Sequence, residues 1–163
     1  MNYEIDLQNE DNYPIDELLM RRAALCVLEQ QQAVDESALS IVFMGDDEVA
    51  ALNRQYRHID APTDVLSFPN HPTYNAPDQP PYLGDIIIAF PYANMQAQRE
   101  GHALNDSVAL LVVHGTLHLL GYDHDTMEHR ASMWAAQEQA LVALGISPAI
   151  VPSLERPMDE YED

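Results

Sequence analysis

Three of the seven histidines in this 163-residue chain fall within eleven residues: His114, His118 and His124, in the stretch His-Gly-Thr-Leu-His-Leu-Leu-Gly-Tyr-Asp-His. The spacing H-x3-H-x5-H suits a three-histidine metal site. On a helix, positions four apart differ by about 40° in azimuth and about 6 Å in height, so His114 and His118 share a face and can converge on one ion. Gly121 is the residue type expected just past a helix end, where a left-handed backbone reverses the chain and lets His124 fold back as a third ligand. Three nitrogens leave one tetrahedral position open, which marks a catalytic rather than a structural zinc site. Zinc is the default ion; imidazole also suits copper, nickel and iron. The bland alternative is a set of hydrogen-bonded core histidines, and clustering at ligand spacing before a helix-stopping glycine argues against it.

The spacing also matches the H-E-x-x-H-x-x-G-x-x-H pattern of the metzincin peptidases, except that Gly115 stands where the glutamate belongs. That carboxylate is the general base of the peptidases, and glycine has no group to replace it, so a peptidase or amide hydrolase is the weaker reading. A phosphodiester asks less of a side-chain base when a metal already lowers the pKa of its water. The remaining need is positive charge for the phosphoryl oxygens, which arginine supplies.

These residues need a scaffold. Tyr3, Ile5 and Leu7 alternate with polar neighbours as in a half-buried strand over residues 2–7, and apolar residues at 15, 18, 19, 25, 26 and 28 fit a helix from Ile15 to about Gln31. Ala38 to Met44 reads as a second strand. Asp46 is placed to cap a helix through about Arg57, with Val49, Leu52 and Tyr56 on its inner side. Val65 to Phe68 is a short strand, and Leu83 to Phe90 is the most strongly β-forming run. Between them, residues 69–81 hold five prolines and read as a mobile loop. Pro91 suits the first turn of a helix to about Glu100. A cap at Asn105 or Asp106 opens the next, whose residues 108–113 are all apolar; a helix apolar on every side is buried, and this one carries His114 and His118. Asp125 and Glu128 resemble a capping box for a last helix to about Leu144, on which Met127, Met133 and Trp134 take core-like positions. Strands mixed with helices in loose alternation predict an α+β fold: a small mixed sheet packed with helices around a central buried metal-binding helix, zincin-like in plan.

The length suits one domain, expected over residues 1–151, with an acidic, mobile tail over 152–163. Cys26 reads as a buried bystander. No apolar run reaches membrane-spanning length, which places the protein in the cytoplasm with no membrane partner. Net charge is −20, and seven arginines with no lysine make up the whole positive complement, poor material for a broad phosphate-binding face. Catalysis is local, however, and a metal with one or two arginines can hold a phosphate on an acidic body.

Leu52-Asn53, Tyr56-Arg57, Pro62-Thr63-Asp64-Val65-Leu66-Ser67-Phe68-Pro69, Leu83-Gly84-Asp85-Ile86 and the block from His114 to His124 together resemble the YbeY-type rRNA maturation factors, over about Leu52 to Gly145. That family is described as zinc-dependent endoribonucleases specific for single strands. The resemblance implies one Zn²⁺ held by His114, His118 and His124, with Arg57 and His114 as catalytic residues. It implies a single-stranded RNA substrate, above all ribosomal RNA, and a role in 16S rRNA 3′-end processing and ribosome quality control beside the ribosome and its proteins. Some relatives carry a lysine shortly after the arginine; here the position is Ile59. Read from residues alone, Arg57 could equally serve its helix C-terminus or a surface ion pair. Asp85 is open between ligand support and capping a strand end, and Asp123 and Asp125 between local structure, ligand support and, last, a general base. A non-enzymatic ribosome assembly factor with a structural zinc is the remaining alternative.

Overall fold

The computed structural model describes residues 1–70 and 78–150. Among these residues nine elements follow in order: β1 (Glu4–Gln8), α1 (Glu17–Gln30), β2 (Ala38–Met44), α2 (Asp46–Arg57), β3 (Val65–Pro69), β4 (Tyr82–Ala89), α3 (Phe90–Glu100), α4 (Leu104–Leu119) and α5 (Met127–Ala143). The strands form one sheet in the order β1-β2-β4-β3. β1, β2 and β4 run parallel, and β3 closes one edge antiparallel to β4. This is the mixed sheet and α+β class read from the sequence. Residues 71–77, within the proline-rich connection, and the acidic end beyond residue 150 lie outside the described residues.

Alternation divides the sheet between two cores. Leu39, Ile41, Phe43, Ile86 and Ile88 face a large core shared with α1, α4 and α5, while Leu66, Ile87 and Ala89 face a smaller one closed by Val49 of α2. At the centre of the larger core lies α4, whose residues Val108 to Leu117 are all buried. The glycine at position 115 sets the distance between α4 and the sheet: a Cβ there would lie 2.8 Å from Ile86 Cγ2 and 3.2 Å from Ser67 Oγ. No helix among the described residues is long and apolar enough to cross a membrane.

Three expected caps are misplaced by one to three residues. α2 begins after Gly45, and the Asp46 carboxylate instead accepts from the Tyr92 N–H at 2.9 Å, capping the first turn of α3. α4 begins after Ala103; Asn105 Oδ1 accepts from the Asp16 N–H at 2.9 Å, tying the start of α1 to α4. α5 is capped by Thr126, whose hydroxyl oxygen accepts from the His129 N–H, and Asp125 pairs with the His129 ring instead. Two apolar positions also face solvent against expectation. The buried face of α1 is Met20, Ala23, Ala24, Val27 and Leu28, leaving Leu18 exposed, and Met127 is 89% exposed at the start of α5. Cys26 is half-buried, and burial raises its thiol pKa, which disfavours the reactive thiolate.

Candidate metal centre

His114 and His118 stand one turn apart on α4, near its C-terminal end. Beyond Leu120, Gly121 takes φ +100°, the Tyr122 N–H returns to the Leu117 carbonyl at 3.0 Å, and the chain reverses as a Schellman-type stop. The reversal brings His124 back over α4. Its ring centroid lies 5.5 Å from that of His114 and 5.2 Å from that of His118, and one ring nitrogen from each histidine falls within 4.8 Å of the others. This group could hold a metal ion.

The hydrogen bonds behind the rings determine which nitrogens face inward. His118 Nδ1 is 2.9 Å from the Tyr122 carbonyl, which can only accept, so Nδ1 carries the proton and Nε2 a lone pair. His114 Nδ1 is 2.5 Å from Gln137 Oε1 on α5, and donating to it leaves Nε2 the same. The two Nε2 atoms then face each other at 3.1 Å. Two lone pairs at that distance repel, and a cation between them makes the contact attractive. Ligand nitrogens about 2.0–2.1 Å from a tetrahedral zinc would stand about 3.3 Å apart, close to the separation seen.

Burial disfavours the imidazolium at all three positions. His114 is held well below the usual histidine range by burial and then by His118; His118 is lowered by burial and then by His124. His124 is lowered by burial, against an upward pull from Asp123. Neutral imidazole is the ligand form. The shifts also make the metal-free fold sensitive to acid. Below about pH 6.5 the unfolded chain takes up protons that the buried rings refuse, so stability must fall with pH in that window. The exposed His129–Asp125 pair works in the opposite sense, since His129 is raised, but solvent screens it. The melting temperature of metal-free protein is therefore expected to drop between about pH 6.5 and 5. A flat profile there would contradict the burial argument.

The rings line a cleft of about 610 Å³ bounded by β3, by Thr63 and Asp64, by Tyr56 and Arg57, and by the 121–124 turn. Arg57, in the last turn of α2, is half-buried and close enough to His118 to depress its pKa further. Its segment is fixed from below: buried Asn53 donates through Nδ2 to the Ala61 carbonyl at 2.8 Å and accepts at its own carbonyl from His58 and Ile59. Asp64 Oδ1 accepts from the Val65 N–H at 2.8 Å, a local bond at the entry to β3. Asp123 lines the cleft and accepts from the His124 N–H at 2.7 Å, which holds the turn that presents the third ring. Asp85 is not part of this site. It bonds the Tyr82 hydroxyl and lies on the sheet face carrying Ile87, opposite the face that meets Gly115.

Two supporting residues escape a reading of spacing alone. Gln137 is fully buried in the otherwise apolar stripe Met133, Ala136, Ala140 and Leu141; that lone amide is the one signal the sequence offers. Trp134, read at a core-like position, packs half-buried against the main core and sets its ring edgewise against His114 and His124, each centroid 5.8 Å away. Arg130 lies over its ring at 5.2 Å.

The family model described as Endoribonuclease YbeY matches residues 5–145. This chain belongs to the YbeY endoribonuclease family. Proteins named Endoribonuclease YbeY include one from Moorella thermoacetica, 42% identical over 155 residues and spanning 90% of this chain and 99% of that protein. Another, from Geobacillus kaustophilus, is 39% identical over 160 residues, again spanning 90% and 99%. Among solved structures, the solution structure of TM1509 from Thermotoga maritima has a TM-score of 0.57 at 23% identity, covering 94% of this chain and 96% of that one, a likeness of fold. The YbeY match thus extends the resemblance read from Leu52 onward back through α1 and β2.

Proposed function

We propose that this chain is a cytoplasmic, zinc-dependent endoribonuclease that cuts single-stranded RNA, with ribosomal RNA as its substrate and 16S rRNA 3′-end processing and ribosome quality control as its setting. The observation that carries the reading is the pair of inward-facing Nε2 atoms 3.1 Å apart, at a cleft that Arg57 shares, in a member of an endoribonuclease family. His114, His118 and His124 would hold the ion. When bound, it supplies charge to polarise a phosphoryl oxygen and lowers the pKa of water.

The remaining work falls to the chain's own groups. The Arg57 guanidinium offers forked donors to a phosphate and stabilises the charge that grows on its oxygens as the bond to the leaving oxygen breaks. Gln137 and the Tyr122 carbonyl hold two rings in one tautomer and orientation, so no reorganisation is required when the substrate arrives. Asn53 and Asp64 keep the Arg57 segment and β3 at a fixed width of cleft.

Metal analysis of the purified protein, paired with cleavage of a single-stranded RNA before and after chelation, tests the proposal. Arg57→Ala is expected to retain the metal and lose about 10²- to 10³-fold in kcat, the usual effect of removing one charge-stabilising donor. Wild-type rates in that variant would remove Arg57 from the mechanism. Full cleavage by rigorously metal-free protein would remove the ion.

A further inference from the structure

We infer that Tyr56 is a nucleobase platform: its ring stacks on the base next to the phosphate held by Arg57, and so selects an unpaired strand. The inference rests on the ribonuclease reading above and names a second point of contact for its substrate.

The helical pattern of α2 predicts Tyr56 on the inner side with Val49 and Leu52, yet its side chain is turned out, 58% exposed. It is not loose. The ring meets Phe68 of β3 in an edge contact, centroids 5.2 Å apart and planes at 65°, and both residues line the cleft of the three histidines. Of the large hydrophobic side chains exposed among the described residues, Met1, Leu18, Val34, Met95, Met127 and Val142 are not part of the cleft lining, and Tyr56 is. Tyr122 lines it too, but is half-buried, with its hydroxyl engaged by Gln31. Among the described residues the cleft therefore presents one braced, water-facing aromatic ring, adjacent in sequence to its arginine.

That arrangement matches the needs of a strongly acidic protein that binds a polyanion. At a net charge of −20, phosphate contacts cannot supply broad affinity. Stacking on an aromatic ring is insensitive to that charge, and every base offers a π-face. A base can reach the ring only when unstacked from its neighbours and free of a paired strand, so the contact discriminates against duplex RNA by shape.

The test measures binding apart from cleavage. Anisotropy of a labelled 2′-O-methyl RNA strand, which resists cleavage, is recorded with metal-loaded protein while a single abasic residue is walked along the strand. At one position the missing base is expected to weaken wild-type binding by about 5- to 100-fold, the range for one base on one aromatic ring. Tyr56→Ala should weaken the intact strand by a similar factor and the strand abasic at that position by little more. Tyr56→Phe should bind within about twofold of wild type, since the ring alone is needed. An equal loss on intact and abasic strands, or wild-type binding by Tyr56→Ala, overturns the inference. Cleavage of the 2′-hydroxyl strand is scored separately. Base-dependent binding through Tyr56 without cleavage leaves the platform standing and removes the ribonuclease reading; cleavage without base dependence does the reverse. A wild type that binds neither strand overturns both.

Discussion

His114→Ala is expected to lose nearly all bound metal and, with it, RNA cleavage. His114 is 4% exposed and joins every part of the centre: Nδ1 to Gln137, Nε2 toward His118, and its ring edge to Trp134. Removing a residue that merely supports a ligand costs about 10- to 100-fold in metal affinity, and removing a ligand costs more. The variant should still fold. It leaves the Gln137 carbonyl buried without its donor, a penalty of about 1–3 kcal/mol against a total stability of about 5–15 kcal/mol. Pairing it with Gln137→Leu should recover part of the melting temperature and none of the metal. Metal analysis, thermal melts and an RNA cleavage assay on the two variants separate ligand loss from fold loss. Undiminished cleavage by a metal-free His114→Ala protein would end the proposed mechanism.

Gly115→Glu, which restores the metzincin pattern, is expected to destroy the fold rather than create a peptidase. Position 115 faces the sheet, not the three histidine rings: even a methyl group there would meet Ile86 at 2.8 Å and Ser67 at 3.2 Å. Alanine alone should cost about 1–3 kcal/mol in overpacking, offset by about 1 kcal/mol of helix propensity. Glutamate adds a longer chain and a carboxylate buried between α4 and β4, a desolvation penalty of several kcal/mol without a partner charge. Together these approach the stability of a domain. No cooperative melt is expected for Gly115→Glu, and a lowered but cooperative one for Gly115→Ala. A folded glutamate variant that cleaves peptides would show that the glycine is a chemical choice and not a packing one.

What the sequence exposes and what it hides follow from the reach of local rules. The convergence of His114 and His118 is legible because a helix repeats on a fixed period, and that of His124 because Gly121 is needed at a left-handed turn. The mixed sheet is legible because its strands are separated by clear breaks and recognisable helices. The caps fail for one shared reason. Asp46, Asn105 and Asp125 each stand beside a helix start, where a local bond is the natural guess, and two of them serve a partner distant in sequence. Asp125 turns to the His129 side chain instead. Gln137 is hidden similarly: its place in an apolar stripe shows that it is buried but not that the group it meets is 23 residues earlier. Tyr56 misleads in the other direction, because helical period assigns it to the inner side and β3 holds its ring at the mouth of the cleft.

The bond from His114 to Gln137 has a bearing on synthesis. All three imidazoles emerge from the ribosome before the amide that orients the first of them, and α5 must dock before that ring is fixed. Under the proposed function, a chain ending short of α5 would keep all three histidines with the first ring unoriented, and its cleavage of RNA is expected to fall until the last helix is in place.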